Sequence, residues 1–206
     1  PSWQDELVGD LCMELPLTQF LGTSNAHLAM RHGLLPMGTS AHEMYMVLAA
    51  LMGQRGDEAL YASVSEVLQD WWDAYGWGLS IALTDTFGTE SFFKIMSPAQ
   101  ARRWKGLRQD SGDPFTFGKK AIAFYQQCGL TPEEIGQKII VFSDGLELPK
   151  MIDLEQHFRG RIKTTFGWGT NLTNDVGFPP LSIVIKVVEA AGVGAPPHVP
   201  PSPGDE

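Results

Sequence analysis

QKIIVFSDGLELPKMIDLEQHFRGRIKTTFG, residues 137–167, decides the fold class of this chain. QKIIVFSD (137–144) is rich in Ile and Val and continuously apolar, which predicts a buried strand. ELPKMIDLEQHF has the apolar spacing of a helix, and RIKTTFG (161–167) predicts a second strand after the turn HFRGR. A strand, a helix and a strand in succession form the unit of a parallel sheet.

The same alternation extends upstream. LSIALTD (79–85) and WKGLRQD (104–110) are strand candidates. Ser97-Pro98, Asp113-Pro114 and Thr131-Pro132 each place a capping side chain before a proline at the first helical position. The helix PFTFGKKAIAFYQQCG ends at Gly129. Nearer the start, QFLGT (19–23) precedes the helical stretch NAHLAMRHG, and LLPMGT (34–39) precedes AHEMYMVLAALMG. A second helical pattern, SVSEVLQDWWDAYG, follows the polar break GQRGDE. Downstream, LSIVIKVVE (181–189) predicts another strand. The expected fold is therefore α/β, with a mostly parallel sheet covered on both faces. The expected division is a folded portion over 1–191 and an extended or disordered tail over 192–206, GVGAPPHVPPSPGDE, with five Pro and three Gly.

Composition excludes several classes. At 206 residues and 43% hydrophobic, with 11 Phe and 6 Trp, the chain has the material of a globule, not of a disordered segment. A chain of this size can bury about 70% of the surface that its unfolded form exposes. A net charge of −9 without a run of Lys or Arg argues against nucleic acid as a partner, since phosphate-backbone affinity needs clustered cations. No apolar stretch has the length of a membrane span, and PSWQDELVGD lacks the basic and apolar regions of a signal peptide. Cys12 and Cys128 build neither a disulfide framework nor a zinc site, and free thiols suit a reducing cytoplasm.

Six consecutive strand candidates end in polar or Gly-containing signatures: GTSN, GTSAHE, LTDTFGT, RQDSGDP, FSDGL and FGWGT. Turns and caps explain any one of them. Six together, against plainer turns at the opposite ends (CGLTPEE, HFRGR), point to a ligand site at the carboxyl ends of the strands. Familiar motifs fail. Gly112 and Gly118-Lys119-Lys120 have the wrong spacing for a P-loop, and Met46 stands where His42-Glu43 would need a second zinc-ligating His. Gly167-Trp168-Gly169 lacks the third Gly and the following helix of a dinucleotide fingerprint.

Several residues remain as candidates. His42, at a helix start, could accept a phosphoryl group or act as a base. His27, His32, His157 and His198 read as structural. Arg108 suits a ligand carboxylate, and Asp110 suits a ribose hydroxyl or hydrated magnesium. Asp113 is sufficiently explained as a helix cap. Asp144 offers another carboxylate at the end of the strongest strand. Gly167, Gly169 and Thr170 form a loop suited to a phosphate.

In this order, LGTSNAHLAM, LPMGTSAHE, IALTDTFGT, GLRQDSGDP, VFSDGLEL, FGWGTNLTND and PLSIVIKVVEA resemble successive blocks of nicotinate phosphoribosyltransferase, across residues 3–191. The resemblance implies an irregular, TIM-like α/β phosphoribosyltransferase barrel, incomplete in this chain, which would lack an N-terminal domain and the C-terminal end. It implies condensation of nicotinate with phosphoribosyl pyrophosphate, driven by ATP through a phosphohistidine, with magnesium, in a cytoplasmic homodimer. His42 would carry the phosphoryl group, and Thr39 and Arg108 would contact nicotinate. Gly169 and Thr170 would hold the sugar phosphate. Asp110 and Asp144 would contact ribose or the metal–pyrophosphate, with no protein-only metal site. The alternatives are a non-catalytic fragment that binds phosphate or a partner subunit, and a nicotinamide-specific relative.

Overall fold

The computed structural model describes residues 2–53 and 55–173, together with 177, 178, 185, 187 and 189. The predicted tail, 192–206, lies outside the described residues, as does most of the predicted strand 181–189.

Four strands form one parallel sheet in chain order: β3 (Ile81–Leu83), β4 (Gly106–Gln109), β5 (Ile139–Phe142) and β6 (Lys163–Phe166). Two short strands nearer the start, β1 (Gly22–Thr23) and β2 (Leu35–Pro36), pair in parallel around helix α2 (Ala26–His32). Helix α1 (Ser2–Glu14) precedes them, and α3 (His42–Gly53) packs on α4 (Asp57–Tyr75) ahead of the sheet. Between the sheet strands run α5 (Thr89–Ile95), α6 (Pro98–Arg103), α7 (Pro114–Gln127), α8 (Pro132–Ile135) and α9 (Leu148–Phe158). A last short helix, α10 (Thr170–Thr173), follows β6.

Parallel strands in sequential order, with the right-handed crossovers that such connections almost always adopt, send their connecting helices to one side, as in an arc of a barrel. Side-chain burial agrees. Ala82, Leu107, Ile140 and Phe142 are buried under the helices, whereas Arg108 and Val141 on the other face are half-buried and Lys163 is exposed. Burial of both faces, expected from the apolar runs, therefore holds among the described residues for β3 but not for the rest of the sheet.

The helix side is a continuous core containing Trp104, Tyr125, Phe142, Leu154 and Phe158. Gly118 lets α7 and α9 approach closely, because a Cβ there would sit 2.1 Å from Phe158 Cζ. The proline-associated caps form as expected. Asp113 accepts from Thr116 N at 2.7 Å, and Ser97 and Thr131 form capping boxes with Gln100 and Glu134. Two local expectations change. Helix α4 begins at Asp57, inside the predicted polar break, directly after Gly56 at φ 106. Helix α10 follows the Gly167–Gly169 loop, where no helix is predicted.

Candidate active site

Register places the site. Arg108 pairs with Leu83 and Val141, and Val141 pairs with Thr165, so these four form one layer. Side chains two residues further along each strand project on the same face. Backbone pairing continues past the strand ends through Thr84 N to Arg108 O at 3.3 Å, Ser143 N to Gln109 O at 3.0 Å and Gly167 N to Phe142 O at 2.8 Å. The next layer toward the carboxyl ends is therefore Asp85, Asp110, Ser143 and Gly167.

Arg108, one layer below, reaches into this one. Its Nη2 lies 2.9 Å from Asp110 Oδ2, and its Nε donates to Ser143 Oγ at 2.8 Å. Its Nη1 donates to Thr39 Oγ1 at 2.8 Å, which ties the segment before α3 to the sheet. Ser143 Oγ lies 2.6 Å from Asp110 Oδ1 and 2.9 Å from Gln109 O. A hydroxyl has one proton, and the charged carboxylate is the stronger acceptor, so it goes to Asp110.

His42 is the first residue of α3 and stands beside these carboxylates. Its Nε2 is 3.2 Å from Asp110 Oδ2 and 3.9 Å from Asp85 Oδ1, and its Nδ1 is 2.9 Å from Thr86 Oγ1. A carboxylate offers only lone pairs, so the neutral imidazole carries its proton on Nε2. Nδ1 then presents a lone pair toward the Thr86 hydroxyl.

Asp85 supports the loop after β4 from below. Its Oδ2 accepts from Asp110 N at 3.2 Å and from Ser111 Oγ. Its Oδ1 is buried with no hydrogen-bond partner among the described residues, and the side chain is only 6% exposed. Gln109, buried beneath the same loop, donates through Nε2 to Ser111 O at 2.8 Å and Gly112 O at 3.0 Å. Gly112 supplies the left-handed conformation, φ 78, at which this turn reverses. On the buried face of α3, Tyr45 shares a 3.3 Å hydrogen bond with Ser40, and burial pushes its phenol up to about 12.

The structure thus brings together His42, Thr39, Arg108 and Asp110. Asp144 is exposed and takes no part in this network, because Ser143 is the residue that shares the face of Arg108. Gly169 is exposed, with open space where a Cβ would stand. Thr170 is the first residue of α10, and its side chain lies outside the described residues. Of the other histidines, His32 pairs with Asp5 at 2.8 Å and His157 meets the Phe115 and Phe158 rings edge-on. His198 lies outside the described residues. Sequence reasoning missed Asp85, Thr86 and Ser143 as site residues, although all three lie within the quoted strand-end signatures.

The site can grip a planar anion and hold an imidazole in one tautomer. Two carboxylates, Asp85 and Asp110, one of them with an oxygen that takes no hydrogen bond among the described residues, also suit magnesium that is held largely through phosphates. Among the described residues, no group of three or more His, Cys, Asp or Glu side chains is disposed to hold a metal ion by itself.

Comparison with known proteins identifies the family to which the chain is similar. The sequence model described as the Nicotinate phosphoribosyltransferase (NAPRTase) family matches residues 2–195. The chain is 43% identical to a nicotinate phosphoribosyltransferase of Psychromonas ingrahamii over 192 residues, covering 93% of this chain and 45% of that protein. It is 39% identical to that of Ralstonia pickettii, covering 93% of this chain and 47% of that protein. Among solved structures, the nicotinate phosphoribosyltransferase of Vibrio cholerae superposes with a TM-score of 0.78 at 38% identity, over 89% of this chain and 43% of the other. The chain spans about half the length of the curated relatives it matches.

Proposed function

The chain belongs to the nicotinate phosphoribosyltransferase family, and from that premise we propose that it carries the catalytic strand ends of an enzyme condensing nicotinate with phosphoribosyl pyrophosphate. The observation that carries this reading is the network joining Thr39, Arg108, Asp110 and His42.

Arg108 holds the nicotinate carboxylate, with Thr39 beside it, and so orients the pyridine nitrogen toward the anomeric carbon. That nitrogen donates its lone pair to the carbon as the bond to pyrophosphate breaks, giving nicotinate mononucleotide. The transition state resembles an oxocarbenium ion, so fixed carboxylates and a positioned nucleophile lower its energy without a protein–carbon bond. The loop Gly167–Thr170 receives the sugar phosphate, through Gly169 and Thr170. Asp144 faces the ribose or the pyrophosphate.

ATP is the co-substrate that phosphorylates His42. The Nδ1 lone pair attacks the γ-phosphorus, the bond to ADP breaks, and the Thr86 hydrogen bond opens to admit the phosphoryl group. Asp110 holds the Nε2 proton throughout. Asp85 and Asp110 would hold magnesium, which supplies charge neutralisation to the phosphates. The same reading carries a homodimeric assembly and a cytoplasmic location. Among the described residues, no helix is long and apolar enough to cross a membrane.

The test is formation of nicotinate mononucleotide from nicotinate and phosphoribosyl pyrophosphate with magnesium, with and without ATP. It is paired with labelling of the chain by γ-labelled ATP. Product, and a label lost in His42→Ala, is the expected result. A folded chain that forms no product and takes no label overturns the reading.

A further inference from the structure

A guanidinium has two edges that can each take a carboxylate in a two-pronged grip, Nε with Nη2 and Nη1 with Nη2. In this chain the first edge is engaged within the protein. One prong is direct, from Nη2 to Asp110 Oδ2 at 2.9 Å. The other is relayed, from Nε to Ser143 Oγ at 2.8 Å and from Ser143 Oγ to Asp110 Oδ1 at 2.6 Å. Ser143 thereby closes a ring of hydrogen bonds that spans the distance a direct Nε contact to Asp110 would leave open. Asp110 itself is fixed by its backbone bond to Asp85 and by His42.

This ring sets the rotation of Arg108 about its own axis. Nη1 gives one of its two protons to Thr39 and Nη2 one of its two to Asp110, so each nitrogen keeps one proton for a ligand. Ser143 is held in turn by the neighbouring strand β4, its N donating to Gln109 O at 3.0 Å, and Gly167 lies so close that a Cβ there would sit 3.2 Å from Ser143 Cβ. Resting on the proposed function above, we propose that Ser143 is a specificity-positioning residue. It presents the Nη1/Nη2 edge of Arg108 to the pyridine substituent and so favours a carboxylate over an uncharged amide. A carboxylate accepts on both oxygens from that edge. An amide has one oxygen to offer and turns its NH2 donors toward Arg108 donors. Without Ser143, Nε swings free, the edge is no longer held in plane, and the advantage of the acid is lost.

Two measurements on the full chain test this. The first is equilibrium binding of nicotinate and nicotinamide to wild type, Ser143→Ala and Ser143→Cys, each shown to be folded by circular dichroism. We expect Ser143→Ala to lose affinity for nicotinate on the order of tenfold, with nicotinamide little changed. Equal losses for both ligands, or no change in their ratio, overturn the proposal. The second is the water-exchange rate of the Arg108 Nε proton by 15N NMR, which needs no ligand. It should rise on the order of tenfold in Ser143→Ala and by less in Ser143→Cys. An unchanged rate overturns the proposal. A wild type that binds neither ligand but shows the expected exchange behaviour overturns the proposed substrate and the specificity role together, leaving only the ring.

Discussion

Asp110 lies 68 residues beyond His42 in the chain, yet its Oδ2 stands 3.2 Å from the imidazole Nε2 while also pairing with Arg108. One carboxylate therefore holds both the proton of the imidazole and the cation of the anion grip. Asp110→Asn offers an amide whose NH2 can donate to Nε2 and reverse the tautomer. Labelling of His42 by γ-labelled ATP is expected to slow on the order of 100-fold or more, by analogy with tautomer reversal in other Asp–His pairs. A rate within threefold of wild type would show that the tautomer is set elsewhere.

Arg108→Lys keeps the positive charge but loses the planar fork and the bond to Ser143. Nicotinate affinity should fall between about 10- and 100-fold in a titration, since charge-assisted bonds to two partners are lost. Retained affinity would mean that charge alone suffices.

Asp85 bears a buried oxygen that takes no hydrogen bond among the described residues, and it also supports Asp110 N and Ser111. Asp85→Ala removes both supports beneath the loop. Urea unfolding should show a loss of about 1–3 kcal/mol. Amide exchange at Asp110 should quicken as well.

Tyr45 gives a pH-dependent signature. Its phenol is raised by burial from an ordinary 10.0 to about 12, so the unfolded chain loses this proton first. Native stability from this group is complete below pH 10 and declines as pH rises toward 12, because the native state then binds more protons than the unfolded one. The shift corresponds to about 3 kcal/mol across that window. Tyr45→Phe should flatten the alkaline limb of stability against pH. An unchanged limb would place the ionisation elsewhere, for example at Tyr125, whose buried phenol is raised in the same direction.

Gly118→Ala tests the close approach of α7 to α9. A methyl 2.1 Å from Phe158 Cζ forces the ring or the helix to move, at about 1–3 kcal/mol. Calorimetry should show a lower melting temperature. A stabilised variant would mean that α7 yields without strain.

Features that depend on a few neighbouring residues were legible in the sequence. Ser97, Asp113 and Thr131 cap their helices because each cap closes within three residues of itself. The gathering of polar side chains at the strand carboxyl ends, where the candidate site lies, was legible too, through the repeated polar signatures. Within one signature, however, Ser143 and Asp144 are equally polar, and only strand register distinguishes them. Val141 pairs with Arg108, so Ser143, two residues on, shares that face, while Asp144 is exposed. Asp85 reaches the site by the same logic, two residues after Leu83 in the same layer.

The sequence by itself determined the α/β alternation and the helix starts, because periodicity and capping are short-range properties of the chain. It also offered His42, Arg108 and Asp110 as candidates by residue type, and the family resemblance added Thr39. Only the tertiary structure decided that Ser143 and Asp85 complete the network, and which nitrogen of His42 faces a carboxylate. Those outcomes depend on the register between strands tens of residues apart, where a shift of one residue turns every side chain to the opposite face.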